Sequence, residues 1–104
     1  MSKNKYQIRY LPIAEKDLKE ILSYIQNDNP NAALNLLNEI DKSISQLKSF
    51  PHKGKTPEDD YLQSKGYRML VIKTYIVFYV VDENIKEVEI RRILHGKRKY
   101  KFLL

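Results

Sequence analysis

The chain has no cysteine, three glycines, four prolines and two histidines in 104 residues, and no apolar run of transmembrane length. Without cysteine, neither a disulfide framework nor a thiolate metal site can form, and a reducing cytoplasm is the expected compartment. His52 and His95 stand far apart with no other grouped ligands, so no metal site and no cofactor are expected. Few Gly and Pro, with 42% hydrophobic and 31% charged residues, exclude disordered and collagen-like classes and point to an ordinary soluble globular protein. The basic start Met1-Ser2-Lys3-Asn4-Lys5 is not followed by the apolar stretch a signal peptide needs, so neither secretion nor membrane insertion is expected. The length predicts one domain over 1–104, with a core small enough for a partner chain to add much of its stability.

Negative charge is scarce at the C-terminal end. From Ile85 to Leu104 there are seven basic residues (Lys86, Arg91, Arg92, Lys97, Arg98, Lys99, Lys101) against Glu87 and Glu89, a net of +5 out of the whole chain's +6. Such a cluster focuses field toward a polyanion or an acidic protein surface. The plainer reading is a solvated tail that aids solubility. Tyr100 and Phe102, interleaved with the cations, favour a binding surface, because aromatics beside cations suit a nucleobase or a protein groove.

Three strand-like runs organise the rest. Tyr67-Arg68-Met69-Leu70-Val71-Ile72 and Tyr75-Ile76-Val77-Phe78-Tyr79-Val80-Val81 are separated by Lys73-Thr74, and a third run from Val88 to Tyr100, ending in a burst of positive charge, follows a turn at Asp82-Glu83-Asn84. The middle run lacks polar alternation, which predicts a central strand buried on both faces. Upstream, Tyr6 to Leu11 is a short first strand that stops at Pro12. A helical stripe of Ala14, Leu18, Ile21, Leu22 and Ile25 comes next, with Glu15, Lys16, Asp17, Lys19 and Glu20 read as its solvated face. Asn29-Pro30 caps a second helix carrying Ala33, Leu36 or Leu37, Ile40, Ile44 and Leu47, which ends at Phe50-Pro51. The segment from Pro51 to Lys65 reads as one long irregular loop. The prediction is an α+β domain of order β-α-α-β-β-β. An antiparallel helix hairpin packs on one face of a twisted, mostly antiparallel four-stranded sheet, and the other face is partly open for the basic C-terminal residues.

This order resembles the RelE/ParE superfamily of toxins from bacterial type II toxin-antitoxin systems. The resemblance rests on Pro12-Ile13-Ala14-Glu15-Lys16-Asp17-Leu18, Asn29-Pro30 with Ala33, Phe50-Pro51-His52-Lys53-Gly54, Tyr67-Arg68, Tyr75 to Tyr79 and Ile93-Leu94-His95-Gly96-Lys97-Arg98. It implies a growth-arresting protein held inactive by a cognate antitoxin in a hetero-oligomer. The target implied is DNA gyrase for ParE-like members, or mRNA in the ribosome, cut without a metal, for RelE-like ones. Ile76 stands where the RelE-like strand carries Arg, and His95-Gly96-Lys97-Arg98 resembles the ParE-like ending more closely, so the ParE-like branch is favoured.

Metal-free RNA cleavage by a 2′-hydroxyl needs a base, an acid and cations around the developing phosphorane charge. Arg68, His95, Arg98 and Tyr100 are the candidate catalytic residues if the chain is a nuclease, with Arg92 a further cation of the right type. Arg92, Lys97, Arg98, Lys99 and Lys101 are the candidates for binding a target or nucleic acid. Removal of Lys97 to Leu104 is expected to abolish toxicity without unfolding the domain. Plainer readings stand beside these. His95 suits a hydrogen-bonded turn histidine, Arg68 a pair with Glu89 on a neighbouring strand, and Tyr67, Tyr75 and Tyr79 packing. Strand alternation places Arg91 and Arg92 on opposite faces.

Overall fold

The computed structural model describes residues 5–104, with Lys101 described by its backbone alone; the basic start up to Asn4 lies outside the described residues. Four strands, β1 (Gln7–Tyr10), β2 (Tyr67–Ile72), β3 (Tyr75–Asp82) and β4 (Glu87–His95), form one sheet in the order β1-β4-β3-β2. The β2–β3 and β3–β4 pairings are antiparallel, and β1 lies parallel to β4. The middle apolar run is therefore one of two inner strands. Val77, Phe78 and Tyr79 are all fully buried, as the missing alternation predicts. Hairpin register follows from the turns. Lys73 takes a left-handed φ of 55° in the two-residue β2–β3 connection, and the Asp82 carboxylate accepts from the Asn84 and Ile85 amides at the next one.

Two helices, α1 (Pro12–Asp28) and α2 (Pro30–Ser45), cover one face of the sheet. Each begins with proline at its first turn, where the missing N–H costs nothing, and the Asn29 side chain accepts from the Ala32 amide to cap α2. Leu36, Ile40, Ile44 and, in the 3-10 turn after α2, Leu47 meet Leu70, Ile72, Val77, Tyr79, Val88, Ile90 and Ile93. One residue read as solvated is not. Asp17 is 7% exposed, against the sheet. It lies three residues after Ala14 and four before Ile21, on the stripe itself.

The segment from Pro51 to Lys65 is more ordered than the expected loop. Lys55 exchanges two backbone hydrogen bonds with Met69 on the edge of β2, and a five-residue helix, α3 (Asp60–Ser64), is capped by the Asp59 side chain on the Leu62 amide. Gly66 (φ 79°) supplies the left-handed residue that returns the chain to β2. The second face of the sheet also carries more cover than expected. Leu62, Tyr67, Met69, Ile76, Phe78 and Leu94 form a second buried cluster, overlaid by Tyr100 and Leu103 of a C-terminal 3-10 turn (Tyr100–Leu103) and by Leu104 after it.

Alternation in β4 breaks at a bulge. Phe78 pairs with Arg92 but Tyr79 pairs with Ile90, leaving Arg91 without a partner in the ladder. Arg91 and Arg92 consequently share the second face, both within electrostatic reach of Tyr67, and the expectation of opposite faces is corrected.

Candidate functional site

The cationic end of the chain leaves the sheet through a tight turn. β4 ends at His95 opposite Tyr75, and the Gly96 amide donates to the Thr74 carbonyl at 2.7 Å. A side chain at Gly96 would press on that carbonyl, which suits glycine there. The His95 Nδ1 accepts from the Lys97 amide at 3.2 Å, its carbonyl accepts from the Arg98 amide at 3.0 Å, and its ring meets Tyr75 edge-on at 5.4 Å. His95 thus sits where the turn-histidine reading puts it, as an exposed residue. Lys97, Arg98 and Lys99 are exposed and form no ion pair among the described residues. Tyr100 turns inward, its ring 4.8 Å from Phe78.

Arg68 lies elsewhere. It pairs with Tyr79 in the ladder, and its guanidinium donates to the Gly54 carbonyl at 2.8 Å and to the His52 carbonyl at 3.3 Å. Glu89 stands opposite Val80 and holds Arg9 and Arg91, so the expected Arg68–Glu89 pair does not form. His95 pairs with Tyr75, four residues along β3 from Tyr79, which is about 14 Å of strand. Arg68 and His95 belong to the helix-covered face, whereas Tyr100 packs on the second face. The four candidate catalytic residues are therefore not gathered around one point. His95 and Arg98 share a turn, Tyr100 follows on the second face beside Met69 and Phe78, and Arg68 lies on the opposite face of β2 from Tyr100 and far along the sheet from His95.

Arg92 is engaged in the interior. Its Nε donates to Asp17 Oδ2 at 2.7 Å, one terminal nitrogen donates to Oδ1 at 2.8 Å, and the other reaches the Leu103 carbonyl at 3.4 Å. Asp17 Oδ2 also accepts from the Ile93 amide at 3.1 Å. That amide lies on the edge of β4 just past the last residue paired with β1, so the carboxylate stands in for the strand that stops at Pro12. The bond and charge of Asp17 raise the guanidinium pKa further above its ordinary value, against burial. Nothing in the residue types near Asp17 names its partner in advance; its place on the apolar stripe is the only signal. Of Lys101 the backbone alone is described, within the C-terminal turn.

Chemically, the surface offers three free cations on a rigid turn, bordered by an exposed histidine and by Phe102, which is 89% exposed. Among the described residues, no three His, Cys, Asp or Glu side chains are placed to hold a metal ion, and no helix is long and apolar enough to cross a membrane.

A helix hairpin on a four-stranded mixed sheet is shared with solved proteins of toxin-antitoxin systems. A chain of the chromosomal ParDE system from P. aeruginosa superposes with a TM-score of 0.74 at 20% identity, covering 91% of this chain and 100% of that one. A chain of the RelBE2 toxin-antitoxin complex from Mycobacterium tuberculosis gives 0.61 at 21% identity, covering 88% and 98%. At these identities the likeness shows the fold. No curated protein matches the sequence. The family follows from the sequence itself: residues 8–100 match the ParE toxin of the type II toxin-antitoxin system parDE, and the chain belongs to that family.

Proposed function

We propose that this chain is a growth-arresting toxin that acts on a host protein, DNA gyrase, through the turn Lys97-Arg98-Lys99, and that a cognate antitoxin in a hetero-oligomeric complex holds it inactive. The observation that carries the choice of target is the separation of Arg68, His95 and Tyr100 over two faces and both ends of the sheet. A nuclease needs its base, acid and phosphate cations converging on one phosphorus within hydrogen-bond reach. A protein-binding surface needs only exposed, well-positioned groups. Lys97, Arg98 and Lys99 are exposed on a backbone pinned by hydrogen bonds to His95 and Thr74, so little ordering is required on binding. Membership of the ParE toxin family supports the same branch. In this reading the chain works as one domain in the cytoplasm, without a metal or cofactor, and the sequence supplies a further positive charge at Lys101.

Induction of the chain alone in bacteria, with transcript integrity and plasmid supercoiling followed in the same culture, tests the proposal. Intact transcripts with a supercoiling or DNA-damage defect are expected. Cut transcripts with unchanged supercoiling would instead assign the ribosome-dependent, metal-independent mRNA cleavage of RelE-like toxins.

A further inference from the structure

At the opposite end of β3 from the cationic turn, the segment after α2 forms a shallow hollow of about 790 Å³ lined by Gln46, Ser49, Phe50, Pro51, His52 and Lys53. Phe50 is 65% exposed at its rim, although a large aromatic left in water is costly on a chain with a small core. The exposure is not that of a loose loop. Tyr79 donates to the Pro51 carbonyl and accepts from the Gly54 amide, both at 2.8 Å, and Arg68 holds the His52 and Gly54 carbonyls. The Phe50 amide and carbonyl are both used as well, by Gln46 and Lys53. A Cβ at position 54 would lie 2.6 Å from the Tyr79 hydroxyl, so only glycine lets the segment seat this closely.

The surroundings are positive. Lys53 lines the hollow and donates to Gln46, Lys48 lines the adjoining hollow at Ile8 and Tyr10, and Lys86 sits 5.1 Å over the Tyr6 ring. Two acids stand among these cations: Asp41, which lines the adjoining hollow with Lys42 and Lys48, and Glu83, which is occupied by Tyr6 at 2.5 Å and His52 at 2.7 Å, the Tyr6 bond foremost holding its carboxyl below the usual range. A preformed apolar hollow whose own lining holds no acid, and whose border carries more lysines than acids, selects its occupant by charge as well as by shape.

We propose that this hollow is a docking site for an acidic protein segment that carries one aromatic or large aliphatic anchor, the anchor lying against Phe50 and Pro51 and its acidic flanks facing Lys53, Lys48 and Lys86. A nucleic acid fits less well, because most of the hollow's surface is apolar and, of its lining residues, Phe50 alone offers a large hydrophobic ring for base stacking. The site is separate from Lys97-Arg98-Lys99, so its failure would leave the target surface untouched, and the reverse holds too.

The test is selection of a random dodecapeptide library on the immobilised full chain, followed by affinity measurement of the enriched peptides. Peptides with a Phe, Trp or Leu between acidic residues are expected. Phe50→Ala and Lys53→Glu should each weaken them roughly tenfold or more, while Arg98→Glu leaves them unchanged. Both altered side chains are exposed, so the folded chain is expected to survive, and circular dichroism checks it. Enrichment of peptides without acidic flanks, binding that survives Phe50→Ala, or no enrichment over a blank surface would overturn the proposal. So would a dodecamer oligoribonucleotide that binds this hollow more tightly than any peptide.

Discussion

At the scale of single residues, the most consequential side chain is Asp17. One carboxylate completes two hydrogen bonds with Arg92 and one with the Ile93 amide, in a place with little water to replace them. Asp17→Ala leaves a buried guanidinium and an edge amide without acceptors, and should cost about 3–5 kcal/mol in denaturant unfolding. The double variant Asp17→Ala, Arg92→Met should recover much of that loss, because removing both charges avoids the unpaired one. Tyr10 gives a second residue-level test. Burial first, then the charges of Asp41 and Glu15, push its hydroxyl up to about 12 from 10.0. A folded pKa above the unfolded one stabilises fully below pH 10 and loses that stabilisation as pH rises through 12. After allowance for remaining solvent contact the loss should be about 1–2 kcal/mol. Difference titration of the chain against Tyr10→Phe should show one phenol ionising near pH 12, and the variant should lack that part of the alkaline loss of stability.

At the scale of elements, the two halves of the chain differed in how plainly they could be read. Both long helices and all four strands are visible as period and as runs of apolar residues, and Asn29-Pro30 marks the α1–α2 junction by its capping chemistry. α3 was not visible, because five residues are too few to show a helical period, and its only mark is Asp59 three residues before Leu62. The β4 bulge was invisible for a different reason: an extra residue in a strand leaves no trace in composition, yet it moves Arg91 to the face of Arg92. The candidate site was legible as a charge cluster but not as an arrangement. Nothing in the sequence states that Arg68 is spent on loop carbonyls. The Pro51–Gly54 segment shows how firmly such contacts act. Tyr79→Phe strips the Gly54 amide and the Pro51 carbonyl of their shared partner and should cost about 1–3 kcal/mol, with faster hydrogen exchange at the Gly54 amide than in the helices.

At the scale of the whole molecule, the sheet has two covered faces, and this changes how the C-terminal end must be tested. Tyr100, Leu103 and Leu104 overlie Phe78 and Tyr67, so deletion from Lys97 onward removes part of a core as well as the cations. Such a deletion should lower stability together with toxicity, against the expectation that toxicity is lost without unfolding the domain. The triple reversal Lys97→Glu, Arg98→Glu, Lys99→Glu keeps the packing and inverts the charge. Interaction through these cations should also weaken as salt rises from 50 to 200 mM, since the Debye length shortens across that range. The most direct measurement is supercoiling of relaxed plasmid by purified gyrase in the presence of this chain or of the triple variant. The chain is expected to inhibit the reaction, and the variant, still folded by circular dichroism, is not. Undiminished supercoiling at saturating toxin, or equal inhibition by the charge-reversed variant, would contradict that expectation.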